Sequence, residues 1–273
     1  MPARLLITLL CSLVAVAAAQ RPMLPPEFLD HTRQVQGDRI RFCVLQDSVL
    51  TDLDEAVARL LADALLLDSS IQPVNLPYHV QDLGYRLPLT SEQIFYLLSN
   101  ECDALMGYLY SVGSYPEWQI VSAPYVRTEF VLATRASDAV DSLNSLPAGS
   151  LIGTQLGSAP NSRLNSFLRN QSGEPVWRRA PYPDNQILLE RLVDGSVDAA
   201  LVWEPALVAF GEGELHSTTD LRPLPEMDAS FTITMFSSNA FLQSTLDAAI
   251  SAVSADGSLA AVIDRSGIPG EAP

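Results

Sequence analysis

SEQIFYLLSNECDALMG (residues 91–107) and DNQILLERLVDGSVDAALV (residues 184–202) decide the fold. Each runs from Gln-Ile through an apolar stretch at helical spacing into a polar turn, then Asp-Ala and a short apolar strand. They match with a two-residue offset. A helix that leads through a turn into a strand is part of a βαβ unit, and such units build parallel sheets covered by helices. The same unit standing once in each half predicts two α/β lobes.

The alternation continues outward from these segments. In the first half, residues 40–45 predict a strand and 53–67 an amphipathic helix with acids early. A second strand is expected over 73–80, a helix over 91–99, and strands over 103–107 and 130–134. The second half repeats the grammar: strand 151–154, helix 162–168, strand 176–180, helix 185–193, strand 198–202. The alternating FTITMF of residues 231–236 is a further strand, with helices over 240–253 and 258–264. A strand and helices placed after the second lobe carry the chain back to the first. The expected layout is a leader over 20–37, a discontinuous first lobe over 38–134 and 230–268, a second lobe over 135–229, and a tail over 269–273. Residues 134–137 and 225–229 are the two expected hinges. Ligands of open α/β sheets bind beyond the carboxyl ends of the strands, which here face the cleft between the lobes.

Residues 1–19 read as a secretory signal. Arg4 supplies the positive charge, residues 5–16 are almost unbroken apolar, and Ala17-Ala18-Ala19 offers the small residues a signal peptidase reads. The apolar run is too short to span a bilayer. Cleavage is expected before Gln20, with delivery to the periplasm. Bulky Leu10 ahead of Cys11 fits a lipoprotein site badly, so a soluble mature form is expected. Removal of the signal leaves Cys43 and Cys102. An even pair in an oxidising compartment reads as one disulfide, with two buried thiols as the alternative.

The chain carries 16 basic and 32 acidic residues, a formal charge of −16, and cleavage would take Arg4 as well. Such a balance argues against nucleic acid and anionic membrane surfaces as partners. Every basic side chain is Arg; the absence of Lys removes Schiff-base and P-loop chemistry. His31, His79 and His216 stand singly, without metal-ligand spacing or an evident triad. No G-x-S-x-G elbow or H-E-x-x-H motif is present. Acidic pairs such as Asp54-Glu55 read as a solvated helix face. Neither catalysis nor a cofactor is expected.

The residues resemble family 3 periplasmic solute-binding proteins over nearly the whole mature chain. The resemblance rests on Cys102-Asp103-Ala104, Ser122-Ala123-Pro124-Tyr125, a strand ending in Arg135, the run Gly153-Thr154-Gln155-Leu156-Gly157-Ser158, and Leu192-Val193-Asp194-Gly195-Ser196-Val197-Asp198-Ala199. One branch is more similar than the rest, the solute-binding proteins encoded with pyrroloquinoline-quinone (PQQ) alcohol or methanol dehydrogenases. Its members resemble this chain at Cys43 and Cys102, at Pro124-Tyr125-Val126-Arg127, and at Val202-Trp203-Glu204-Pro205, where the family usually has Gly in place of Glu204. The resemblance implies the two-lobed periplasmic-binding-protein fold, each lobe a mostly parallel sheet flanked by helices, joined by two hinges. It also implies neighbouring first and third strands, which would bring Cys43 and Cys102 within bonding reach. Amino-acid-binding members carry Thr-x-x-Arg after the third strand, whose Arg clamps the ligand carboxylate. Here residues 114–118 read Ser-Tyr-Pro-Glu-Trp, and the Pro-Phe loop after the first strand is missing. A free α-amino acid is therefore not the expected ligand.

The candidate ligand-binding residues follow from strand ends. Gln46 and Asp47, with Ser48 beside them, close the first strand, and their other reading is a helix start. Tyr108 and Tyr110 follow the third strand, and Trp203 and Glu204 the corresponding strand of the second lobe. Aromatic walls with a few polar groups make a small-molecule pocket. Tyr115 and Trp118 are candidates for the same wall. Gly157, Ser158 and Ala159 lead into a helix whose free amides would attract an anion, against plain N-capping by Ser158. Arg127 would meet an anionic group, or pair with an acid such as Glu129. The expected role is capture of a small solute for a membrane permease of the ABC type. The alternative is an accessory protein that binds a periplasmic PQQ-dependent dehydrogenase; an enzyme related to dehydratases of this fold ranks behind both.

Overall fold

The computed structural model describes residues 39–46, 48–75, 79–80, 85–86, 89–110, 115–172, 176–211 and 213–273. The expected signal, the leader and Asp47 lie outside them. In chain order the elements are β1 (Arg39–Leu45), α1 (Thr51–Ala64), β2 (Asp68–Val74), β3 (His79–Val80), β4 (Tyr85–Arg86), α2 (Ser91–Asn100), β5 (Ala104–Leu109), β6 (Gln119–Val121) and β7 (Val126–Arg135). There follow β8 (Leu151–Gln155), α3 (Ala159–Arg169), β9 (Arg178–Tyr182), α4 (Asn185–Val193), β10 (Ala199–Trp203), α5 (Glu204–Phe210), β11 (Leu215–Thr218), β12 (Asp228–Phe236), α6 (Ala240–Ala255) and α7 (Ser258–Ser266).

Local chemistry fixes the helix ends. Thr51 Oγ1 donates to the Leu45 carbonyl at 2.8 Å, so α1 begins against the end of β1, ahead of the expected residue 53. Its buried face is Leu53, Val57, Ala58 and Leu61, at the spacing of an amphipathic helix. It ends before Leu66, whose φ of 56° is left-handed. Thr90 caps α2, in a capping box with Gln93 that satisfies two end amides reciprocally. Asp184 caps α4 by accepting from the Ile187 amide at 2.8 Å.

One hydrogen-bonded path runs β2-β1-β5-β12-β7-β10-β8-β9, with β11 added on β7 and β6 on β12. Its wings are parallel: β2, β1 and β5 on one side, β10, β8 and β9 on the other. The centre is antiparallel, with β12 between β5 and β7. The two helix–turn–strand segments become α2–β5 and α4–β10, each ending in a strand paired parallel to the first strand of its wing. This is the two-lobed α/β architecture expected.

Two placements differ from expectation. The second strand is Asp68–Val74, not 73–80, because it is this stretch that pairs residue for residue with Arg39–Leu45. Pro73 is tolerated there because β2 lies at the sheet edge, where a missing amide costs no ladder bond. The crossing between wings lies inside β7, ahead of 134–137. Val126–Glu129 pair with β12 and Phe130–Ala133 with β10. No Gly or Pro interrupts this stretch, so one strand runs through the join.

Alternate residues of the strands feed opposite faces. In the first wing, Phe42, Val44 and Met106 pack under α1, α6 and α7 with Leu61, Leu246 and Ile250. Cys43 and Leu105 face the other way, towards Ile94 and Leu98 of α2. In the second wing Leu132, Ile152 and Leu201 pack with Leu164 of α3, whereas Val131, Ala200 and Val202 pack with Leu188 and Leu192 of α4. The C-terminal segment covers the free edge of β7. Arg127 and Glu271 exchange two backbone hydrogen bonds of 2.9 Å. A Cβ on Gly270 would stand 3.0 Å from the Arg127 carbonyl oxygen, which is why the approach takes glycine.

Candidate functional site

The parallel wings direct their strand ends towards the join, and the candidate residues sit at those ends. Gln46 follows β1, its amide donating to the Val74 carbonyl at 2.9 Å. Its side-chain Nε2 is buried without a hydrogen-bond partner. Asp47 lies outside the described residues. Near the end of β5, Tyr108 is half-buried with its ring 6.0 Å from that of Tyr115. Leu109 and Tyr110 are exposed at 52% and 44%, and Leu156, beyond β8, at 55%. Large apolar groups left in water at two strand ends are a surface that gains by being covered.

The second wing's polar candidates are mostly committed to structure. Gly157 has φ 81° and open space around it, as a tight turn into α3 requires. The Ser158 hydroxyl donates to the Gln155 carbonyl at 2.7 Å and accepts from the Asn161 amide at 3.3 Å, the geometry of an N-cap. Ala159 is exposed at the first position of α3. A group not anticipated from sequence stands beside this turn. Asn161 Oδ1 accepts from Thr154 Oγ1 at 3.0 Å and from the Arg179 guanidinium. The double arginine in β9 is its only trace in the sequence.

Trp203 and Glu204 stand at the join itself. The Trp203 indole N–H donates to Thr128 Oγ1 at 2.7 Å, and its ring lies 5.4 Å from Phe231. Thr128 and Phe231 lie in β7 and β12, on the first wing's side of the join, so Trp203 packs across it. Glu204, half-buried at the start of α5, has its carboxyl pushed up by burial and by neighbouring Glu129. Arg127 is engaged elsewhere, with Asp228 at 3.7 Å and Glu271 at 3.6 Å in place of the expected Glu129. Trp118 joins the same hydrophobic cluster as Tyr108. It packs edge-on against Phe95 (5.2 Å) and Phe236 (5.8 Å), on the α2 side of the first wing.

Two buried features hold the first wing's strand ends. Cys43 and Cys102 form a disulfide with a Cα separation of 5.6 Å. Asp54, expected on a solvated face, is instead buried on α1, because the helix turns that position inward towards β5. Its Oδ1 accepts from the Tyr125 hydroxyl, and the Tyr125 oxygen accepts from the Gly107 amide at 3.0 Å. Asp54 Oδ2 has no partner. Burial pushes the Asp54 carboxyl up to about 7, against the opposing effect of the Tyr125 hydrogen bond. A side chain on Gly107 would meet Oδ2 at 2.7 Å, and its φ is 73°. Gly107 immediately precedes Tyr108, so this buried cluster sets the course of the strand that carries Tyr108 to the join.

No family model matches the chain, and no curated protein matches it in sequence. Solved structures do match its fold. An amino acid ABC transporter substrate-binding protein from Streptococcus pneumoniae, bound to L-arginine, is similar at 19% identity over 84% of this chain and 94% of that one, with a TM-score of 0.56. An ancestral cationic amino acid solute-binding protein is similar at 16% identity over 87% and 98%, with a TM-score of 0.62. The periplasmic VFT2 domain of BvgS from Bordetella pertussis is similar at 19% identity over 89% and 99%, with a TM-score of 0.61. At these identities the likeness shows the fold, a two-lobed periplasmic binding protein architecture.

Proposed function

We propose that this protein is an extracytoplasmic solute receptor whose two lobes close over a small molecule and present it to a membrane permease. The observation that carries the reading is the set of strand ends at the join, where Leu109, Tyr110 and Leu156 stand exposed while the strands behind them are buried. Closure about β7 and β12 would take those side chains out of water, and a ligand with an apolar or aromatic body would fill the space between them. Tyr108, Glu204, Gln46 and Asp47 are its polar contacts in this reading, with the turn at Gly157, Ser158 and Ala159 and the edge of Trp203 completing the site. No catalytic step is assigned to them.

A free α-amino acid remains the disfavoured cargo. Three arginines near the second wing and the join are already engaged: Arg127 by Asp228 and Glu271, Arg135 by Asp138 and two backbone carbonyls, and Arg179 by Asn161. Thermal-shift screening of the mature protein against a library of small metabolites tests the reading. A true ligand at a hundredfold excess over its Kd stabilises by about 2.7 kcal/mol, and Tyr110→Ala or Leu156→Ser should erase that shift. A flat response across the library would overturn it. Retention of a PQQ-dependent dehydrogenase on the immobilised protein, alongside such a flat response, would favour the accessory role instead.

A further inference from the structure

A cavity of about 460 Å³, lined by none of the strand-end candidates, lies between α6 and the Ala123-Pro124 turn that leads into β7. Asp247, Ile250, Ser251 and Ser254 line it from one helix, at the spacing that places residues on a single face. Pro124 forms part of the opposite wall.

The lining is chemically divided. Asp247 is half-buried; one carboxylate oxygen accepts from the Ala123 amide at 2.6 Å, and burial pushes the carboxyl up. Seven positions along α6, the Ser254 hydroxyl is buried and has no hydrogen-bond partner. Earlier in this helix Ser244 and Thr245 donate back to the Phe241 carbonyl at 2.8 and 2.9 Å. A serine that forgoes this bond leaves a buried polar atom unsatisfied unless something else meets it. Between the two polar ends lie Ile250 and Pro124.

We propose that this cavity is a second ligand site, separate from the cleft, for a small aliphatic amine with a polar group at its far end. The ammonium pairs with Asp247, relieving the cost of burying that carboxylate. The carbon chain lies along Ile250 and Pro124, and the far group bonds to Ser254. Seven residues of helix rise about 10 Å, a span that a diamine of about six carbons bridges once its terminal hydrogen bonds are included.

Isothermal titration of the mature protein with 1,6-diaminohexane tests this, with hexan-1-ol as the neutral comparison. The wild-type protein should bind one diamine, and the alcohol at least about tenfold more weakly, as expected for loss of a charge-assisted bond. Asp247→Asn should weaken the diamine by about tenfold or more, while its amide oxygen still accepts from Ala123 and preserves the fold. Ser254→Leu, which fills the cavity, should abolish binding, with an unchanged circular dichroism spectrum showing that it folds. Diamine binding that survives both substitutions would place the amine in the cleft or on the acidic surface and overturn the proposal. So would absence of binding to the wild type, or equal binding of the alcohol.

Discussion

Asp54 is the residue with the most to say about pH. Its carboxyl is raised in the folded state to about 7, whereas the unfolded chain releases that proton near the ordinary carboxylate value of about 4. The folded protein therefore holds a proton the unfolded chain has lost. Its stability is greatest below the unfolded pKa, declines as pH rises towards 7, and stays at the lower level beyond. A displacement of about three pH units corresponds to a loss on the order of 4 kcal/mol. Glu204 and Asp247 are raised as well and act in the same direction. Asp54→Asn, which cannot ionise but can still accept from Tyr125, should remove most of this slope. Urea unfolding at pH 5 and pH 8 checks it: the wild type should lose more stability between the two than the variant. Parallel slopes would mean that Asp54 does not titrate in this range.

Among elements, the tie between β1 and the turn before β5 is the most readily tested. The disulfide closes a loop of 59 residues, for which the chain-entropy account gives about 4 kcal/mol. Cys43→Ser should lower the melting temperature by about 10 °C in oxidising buffer, and reductant should shift the wild type by a similar amount while leaving the variant in place. Insensitivity of the wild type to reductant would mean the bond contributes nothing. The elements that show plainly in the sequence are those with a strong period and a local stop signal. The α2–β5 and α4–β10 segments have both, through their caps and the Asp-Ala that opens each strand. The short strands β6 and β11 and the extra length of β7 carry no such signal; they exist because a partner strand is present to pair with. The site followed the same division. Which residues end the strands could be read directly, but the inward turn of Asp54, the packing of Trp203 across the join and the Arg179–Asn161 contact depend on neighbours distant in the chain.

For the molecule as a whole, the question is what resists rotation of one wing against the other. β7 runs through the join as a continuous strand, β12 begins beside it, and the Trp203 indole bonded to Thr128 bridges the wings there. Trp203→Phe keeps most of the ring contact with Phe231 and deletes one hydrogen bond, costing about 1 kcal/mol. Amide exchange at residues 128–131 should accelerate in this variant more than exchange within α1 or α4. A uniform acceleration would instead mean that global unfolding governs both. β12 has a further consequence, one of timing. It lies between β5 and β7, yet residues 228–236 are synthesised only after every strand of the second wing. Until they arrive, the facing edges of β5 and β7 stay bare and the first lobe has no middle. A chain built in this order cannot complete that lobe until the second has been made, and in the interval its open edges are free to pair with strands of other chains.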